Sequence, residues 1–374
     1  MPTLVLDRPG HFSQHSERSL PTIGMGEALV RVHRVGVCGT DIHAFAGRQP
    51  FFTYPRILGH ELAVEIVALG DAAPSRDIET TSISCHQDFN DQQGDDNGFQ
   101  IGDRCAVEPY LHCGRCRACR CGKSNCCARL QVLGVHVDGG MRDHLVVPRG
   151  KLHRSQHLSL DQLALVETLG IGAHAVERSG LAMGETALVI GAGPIGLSAM
   201  QLAVARGARV LAMDVSASRL DFCRGHLAIA DTIIAGTTSL HEVSSPVPSS
   251  SHARLLELTD GEGADVVFDA TGNAASMRSA FGMVTHGGRL VFVGLFNGDV
   301  NFHDPDFHRR EITLFASRNA LPANFSRLIA DIESGLIDTR PWITHRSYSN
   351  AFVGQFPAWL QSDSGLIKGI IEFN

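Results

Sequence analysis

Ala187-Leu188-Val189-Ile190-Gly191-Ala192-Gly193-Pro194-Ile195-Gly196 is the stretch that decides how the second half of the chain folds. Four apolar residues in a row, without alternation, suit a strand covered on both faces. The spacing Gly-x-Gly-x-x-Gly overlaps a segment, Ile195 to Arg206, that reads as an apolar helix. Glycines at this spacing occur in many loops, but between a buried strand and a helix they mark a dinucleotide turn. Gly191 permits the tight turn, Gly193 admits a pyrophosphate against the backbone, and Gly196 lets helix and strand pack closely. The helix N-terminus, with its free amides, favours the anion. Working outward, Val210–Met213, Asp265–Phe268, Arg289–Val293 and Ile312–Ala316 read as strands, and Arg219–His226 as a helix. Alternation of this kind predicts an α/β, doubly wound parallel sheet of the Rossmann type. Ser244 to Ser251, rich in Ser and Pro, is expected to be a loop.

Asp214 closes the strand after the glycine turn, where its carboxylate accepts hydrogen bonds from the adenosine ribose. A 2′-phosphate would meet that carboxylate, so NAD is expected rather than NADP. Arg219 has two open readings: a cap on adenine or phosphate, or a solvated helix residue. Ile195 in the turn, Val293 at the end of a later strand and Leu295 just past it are assigned to the cofactor. Arg318 and Asn319, beyond the last strand, are candidates for nicotinamide or for a substrate carboxylate, which a bidentate arginine suits; a structural salt bridge is the alternative.

The first 70 residues alternate apolar and polar positions, as in Glu27-Ala-Leu-Val-Arg-Val-His-Arg-Val35, a pattern of short antiparallel strands in a barrel-like module. From about 71 to 100 the character changes: Asp71, Asp77, Glu79, Asp88, Asp91, Asp95 and Asp96 are scattered among Ser, Thr, Gln, Asn and Gly. This acidic insertion has little to bury and is longer than a usual connection. Cys85 and His86 inside it are read as part of a surface excursion rather than a metal site.

Cys113-Gly-Arg-Cys116-Arg-Ala-Cys119 and Cys127 form a run with the spacing of a tetrahedral thiolate cage. A closed Cys₄ cage holds zinc for structure, not for chemistry. Cys121 and Cys126 fall in the same run, and Cys126 rivals Cys127 for the fourth position. Elsewhere Cys38 offers a thiolate and His60 an imidazole, two members of an open site that a third ligand would complete.

At 374 residues the chain is long enough for two domains, and its 44% hydrophobic and 19% charged residues are those of a globular protein. A formal charge of −7 argues against nucleic acid as the main partner. No apolar run approaches the roughly 20 residues that span a bilayer. The N-terminal sequence has no basic region followed by an apolar run, so no secretory signal is read there. With four of ten cysteines in one cage, the expectation is a reduced, cytoplasmic protein without membrane partners.

Gly36-Val-Cys38-Gly-Thr40-Asp41-Ile-His43, Gly59-His60-Glu61, the cysteine run, Asp138-Gly-Gly140 and the glycine turn together resemble the zinc-dependent medium-chain dehydrogenase/reductase family. The resemblance covers nearly the whole chain apart from the acidic insertion. It implies a GroES-like catalytic domain at 1–160 and 318–374, with a Rossmann NAD-binding domain at 161–317. It also implies two zinc ions per chain and NAD. Cys38 and His60 become ligands of a catalytic zinc, with Glu61 beside the metal. Glu167, in Leu165-Val-Glu-Thr-Leu, stands where the polyol and threonine dehydrogenase branch has its third ligand. Glu167 and Glu61 exchanging places, or acting through water, are left open. Thr40 is expected to relay the substrate proton, His43 to pass it to solvent, and Asp41 to orient His60 by accepting its second ring N–H.

Within the branch, His303–Pro322 and Asp338–His345 look similar to bacterial dehydrogenases of sugar acids, the L-galactonate 5-dehydrogenases first among them. The implied activity is hydride transfer between NAD and a secondary alcohol of a polyol, sugar acid or amino alcohol. L-threonine and sorbitol dehydrogenases are the rivals, and a dinucleotide-binding sensor without turnover is the rival of another class. The family implies a homo-dimer or homo-tetramer. Two departures stand out: Val64 replaces a usual glycine, and the insertion between Gly70 and Gly102 adds roughly twenty residues to a common loop.

Overall fold

The computed structural model describes residues 2–16, 19–49, 52–71, 98–236, 250–361 and 363–373. Most of the acidic insertion, with Cys85 and His86, lies outside the described residues. Two compact units are formed: Met1–Glu167 with Ala320–Asn374, and Thr168–Asn319. The first division falls within one continuous helix, Leu160–Ser179, where the sequence reading put the boundaries at 160/161 and 317/318. Among the described residues no helix is long and apolar enough to cross a membrane.

The first unit is built on short strands, most of them antiparallel. Its larger sheet runs Ile343–Tyr348, Lys368–Glu372, Glu27–Val37, Glu61–Leu69, Arg104–Val107, Leu152–Arg154, and His144–Pro148 also pairs with Glu27–Val37. The alternation noted in Glu27–Val35 buries Val30, Val32 and Val35 in a core shared with Leu62, Val64, Ile66, Phe352, Phe356 and Ile371. Val64 is part of that core; the ladder facing it shifts register between Val32 and Arg34. Register is what gathers distant residues here. Gly36 pairs with Glu61 on one side and with Ile370 on the other. Three strands thus bring Cys38, Glu61 and Lys368 to one end of the sheet. A side chain at position 36 is forbidden, since a Cβ there would lie 2.0 Å from Glu61 Oε2.

The second unit carries a six-stranded parallel sheet in the order Thr232–Ile234, Arg209–Asp214, Thr186–Ile190, Ala264–Asp269, Val284–Phe292, Thr313–Ala316. Numbered along the chain this is 3-2-1-4-5-6, the doubly wound order with its switch point beside the first strand. Ala187 to Ile190 are buried, as their unbroken apolar run requires. The helices Pro194–Ala205 and Ala217–His226 follow the first two strands as expected. One expectation is corrected: Ser250 and Ser251 open a helix, Ser250–Leu258, because Leu255 is buried against the sheet core. The rest of that Ser/Pro stretch lies outside the described residues.

The second unit also has a tight helix crossing. A Cβ on Gly172 would sit 2.1 Å from Ser198 Oγ and 2.6 Å from the Ala199 amide nitrogen, and Ser198 Oγ already donates to Leu169 O at 2.9 Å. Helix propensity favours alanine over glycine by about 1 kcal/mol, while overpacking costs about 1–3 kcal/mol. Contact with a backbone atom places the cost at the upper end. Gly172→Ala is expected to lower stability by about 1–2 kcal/mol in urea unfolding; a more stable variant would contradict this packing.

Candidate functional site

Cys38 caps the short helix Gly39–Phe45 in extended conformation, and its amide donates to Asp41 Oδ2 at 2.9 Å. His60 and Glu61 lie where Glu61–Leu69 begins, both buried. Cys38, His60 and Glu61 each offer a ligand atom within 4.8 Å of the others. Glu167 does not belong to that group. It is buried nearby, close enough for the charges of His60, Glu61 and Lys368 to act on it. Its Oε1 accepts a hydrogen bond from the Tyr110 hydroxyl.

Lys368 arrives on the last strand, 1% exposed, and donates to Glu61 Oε1 and Oε2 at 2.6 and 2.7 Å. Burial pushes its ammonium pKa down, but Glu61 and Cys38 more than reverse this. Burial likewise depresses the His60 imidazole, yet Asp41, Cys38 and Glu167 raise it well above its ordinary value. Burial raises the Asp41 and Glu167 carboxyls. Acid groups crowded out of water in this way call for a positive charge among them.

The donor set fits zinc. A thiolate, an imidazole and a carboxylate from separate segments are the mixed ligands of an open, catalytic site. His60 Nδ1 and Asp41 Oδ1 are both buried without a hydrogen-bond partner, and they lie 3.9 Å apart. That distance corrects one detail of the sequence reading: Asp41 sits beside His60 as a charge, not as a hydrogen-bond acceptor. Thr40 is half-buried and His43 exposed on the same helix. Burial and the Arg48 charge lower the His43 pKa.

Cys113, Cys116, Cys119 and Cys127 have their sulfurs within 4.8 Å of one another. Cys127 Sγ accepts from the amides of Cys113 and Arg129, each at 3.3 Å. Cys126 is exposed and outside the group. Backbone amides of Cys119 and Ala128 pull the Cys116 thiol down to about 6, towards the thiolate a metal requires. Cys121 is disulfide-bonded, which corrects the expectation that every thiol is reduced and removes it from the ligand set.

In the second unit Gly191 takes φ +99°, and a Cβ on Gly196 would lie 1.7 Å from Gly191 O. A Cβ on Gly193 would meet only the Arg219 guanidinium, at 3.8 Å. Gly193 is thus the open side of the turn, with a cation standing over it. Asp214 is buried, and its two oxygens accept from the amides of Ala192 at 2.6 Å and Ser216 at 2.8 Å. Each carboxylate oxygen has a second lone pair for a ribose hydroxyl. Ile195 opens the helix Pro194–Ala205. Val293 donates its amide to Asp269 O at 2.9 Å, Leu295 is 73% exposed, and Arg318 is exposed.

Two residues of the first site had no signal in the local motifs. Lys368 is a charge inside an apolar run, Leu366-Ile-Lys-Gly-Ile-Ile, which is a clue to a buried partner. Tyr110, one of three tyrosines, offered none.

Residues 24–157 match the model of an alcohol dehydrogenase GroES-like domain, and residues 194–334 that of a zinc-binding dehydrogenase. An L-galactonate-5-dehydrogenase of Escherichia coli K12 is 39% identical over 357 residues, covering 96% of this chain and 95% of that one. A sorbitol dehydrogenase of Bacillus subtilis is 31% identical, covering 87% and 84%. A solved alcohol dehydrogenase (RspB) of E. coli CFT073, complexed with NADH, superposes with a TM-score of 0.82 at 25% identity, covering 100% and 99%. With both halves matched and both metal groups assembled, this chain belongs to the zinc-binding dehydrogenase family: it is a zinc- and NAD-dependent oxidoreductase of the alcohol and polyol type.

Proposed function

We propose that the substrate is a sugar acid, L-galactonate or a close relative, whose secondary alcohol is oxidised to a ketone with NAD as acceptor. The observation that carries this reading is the 39% identity to an L-galactonate-5-dehydrogenase along nearly the full length of both chains. Cys38 and His60 would hold the catalytic metal, with a carboxylate as third ligand. Glu61 is already within reach of both but has each oxygen engaged by Lys368. Glu167 has one oxygen engaged, by Tyr110. When bound, zinc supplies the Lewis acidity that lets a hydroxyl ionise near neutral pH.

The remaining work falls to side chains. The Thr40 hydroxyl, two residues beyond Cys38, would take the substrate proton, and the exposed His43 would release it to water. Asp41 adds negative charge beside His60. Asp214 would bind the adenosine ribose and Arg219 a phosphate or the adenine, in keeping with its place over Gly193. Arg318, exposed past the last strand, would meet the cofactor or a substrate carboxylate. The closed Cys113–Cys127 cage would hold the second, structural zinc. The same reading extends to a homo-dimer or homo-tetramer in the cytoplasm.

As isolated, the protein is expected to carry about two zinc per chain, and Cys38→Ala about one. That variant should lose turnover yet keep NAD binding by fluorescence titration; an active Cys38→Ala enzyme would refute the ligand assignment. NADH formation with L-galactonate, sorbitol and L-threonine tests the substrate: kcat/KM is expected to be highest for L-galactonate, and preference for either of the others would replace it. Light scattering should give a mass of two or four chains; a monomer alone would reject the assembly.

A further inference from the structure

We propose that Tyr110 is a positioning residue of the catalytic metal site: its hydroxyl fixes the Glu167 carboxylate, and the four-cysteine loop fixes Tyr110. This rests on the reading that Glu167 belongs to that site. Tyr110 is 2% exposed and donates to Glu167 Oε1. The bond commits one carboxylate oxygen.

What makes Tyr110 a firm support is the way its own backbone is held. Tyr110–Leu111 pairs antiparallel with Gln131–Val132, in the register Tyr110 to Val132. Those two strands are the two ends of the loop that the four cysteines close. Cys113 follows Tyr110 by three residues and donates its amide to Cys127 Sγ. Two residues before Tyr110, buried Glu108 accepts from Lys151 Nζ, which also meets His112 Nδ1 at 3.0 Å. Phe325 meets the Tyr110 ring edge-on at 6.3 Å and is itself stacked on His153 at 4.8 Å. Backbone ladder, cysteine loop, buried ion pair and ring wall all limit where the phenol can go. Through it they limit a glutamate that no motif spacing fixes. The structural metal loop therefore serves the catalytic one, through one hydrogen bond.

Tyr110→Phe removes the hydroxyl and keeps the ring. Outer partners of metal ligands typically carry 10–100-fold in metal affinity. In chelator competition on the holoenzyme, the variant is expected to release one of its two zinc ions about 10–100-fold more readily. The second zinc and the melting temperature should stay as in the parent, and the visible spectrum of the cobalt-substituted site should shift. Glu167→Gln should weaken the same ion, and the double variant should be no weaker than Glu167→Gln alone. If Tyr110→Phe keeps parental affinity and cobalt spectrum while Glu167→Gln changes both, Tyr110 does not position Glu167 and the proposal is overturned. Release of both ions with a collapsed melt would assign Tyr110 to the fold and overturn it equally. If Glu167→Gln leaves affinity and spectrum untouched, the reading of Glu167 itself fails, and the proposal goes with it.

Discussion

A lysine and a glutamate 307 residues apart share a spot from which water is excluded, and the first unit is arranged around that fact. Each is almost wholly buried, so each depends on the other for its charge. Removing one partner of such a pair costs about 3–5 kcal/mol, a large share of the typical 5–15 kcal/mol of net stability. The pair binds the last strand to the sheet and fixes the end of that strand beside Val37, whose carbonyl lies 3.4 Å from Lys368 Nζ. It also dictates Gly36, because the Glu61 carboxylate fills the place of any side chain there.

Charge balance carries the same constraint into the site. Around Cys38 stand Asp41, Glu61 and Glu167, all buried, against one ammonium and one imidazole. Without a metal, the imidazole is driven towards holding a proton, its pKa raised by Asp41, Cys38 and Glu167 in spite of burial. Ligation requires the opposite, a neutral imidazole and an ionised thiol. A divalent cation satisfies both requirements at once, since it replaces the missing positive charge and frees the ring nitrogen. Lys368 alone does not, because its ammonium is already spent on Glu61.

Legibility followed sequence distance. The glycine turn, Asp214 and five of the six parallel strands are local patterns; the short edge strand Thr232–Ile234 was not read, and the sheet order adds the arrangement. The cysteine cage is local too, with Cys127 as fourth ligand and Cys126 as its rival. Two backbone amides aimed at the Cys127 sulfur separate them. The domain division was less readable, since Leu160–Ser179 crosses it with no break in helical character. Least readable were the contacts between remote segments: Lys368 against Glu61 across the sheet, and Tyr110 against Glu167 on a helix. Asp41 illustrates the limit of motif logic, as it came to His60 but at 3.9 Å rather than at hydrogen-bond range.

The two metal groups differ in what holds them, and this explains why they are linked. Four cysteines within fifteen consecutive residues need only a short loop to meet, and the loop's amides stabilise the sulfurs. Cys38 comes from a helix start and His60 and Glu61 from a strand start, with no local turn to set their geometry. Precision there must be imported. Metal sites depend on groups that orient their ligands and neighbours, and both glutamates near Cys38 have such a group: Lys368 for Glu61, Tyr110 for Glu167. The first is anchored by the closing strand of the unit, the second by the cysteine loop. A site made of remote parts thus borrows its order from the two most firmly tied segments near it.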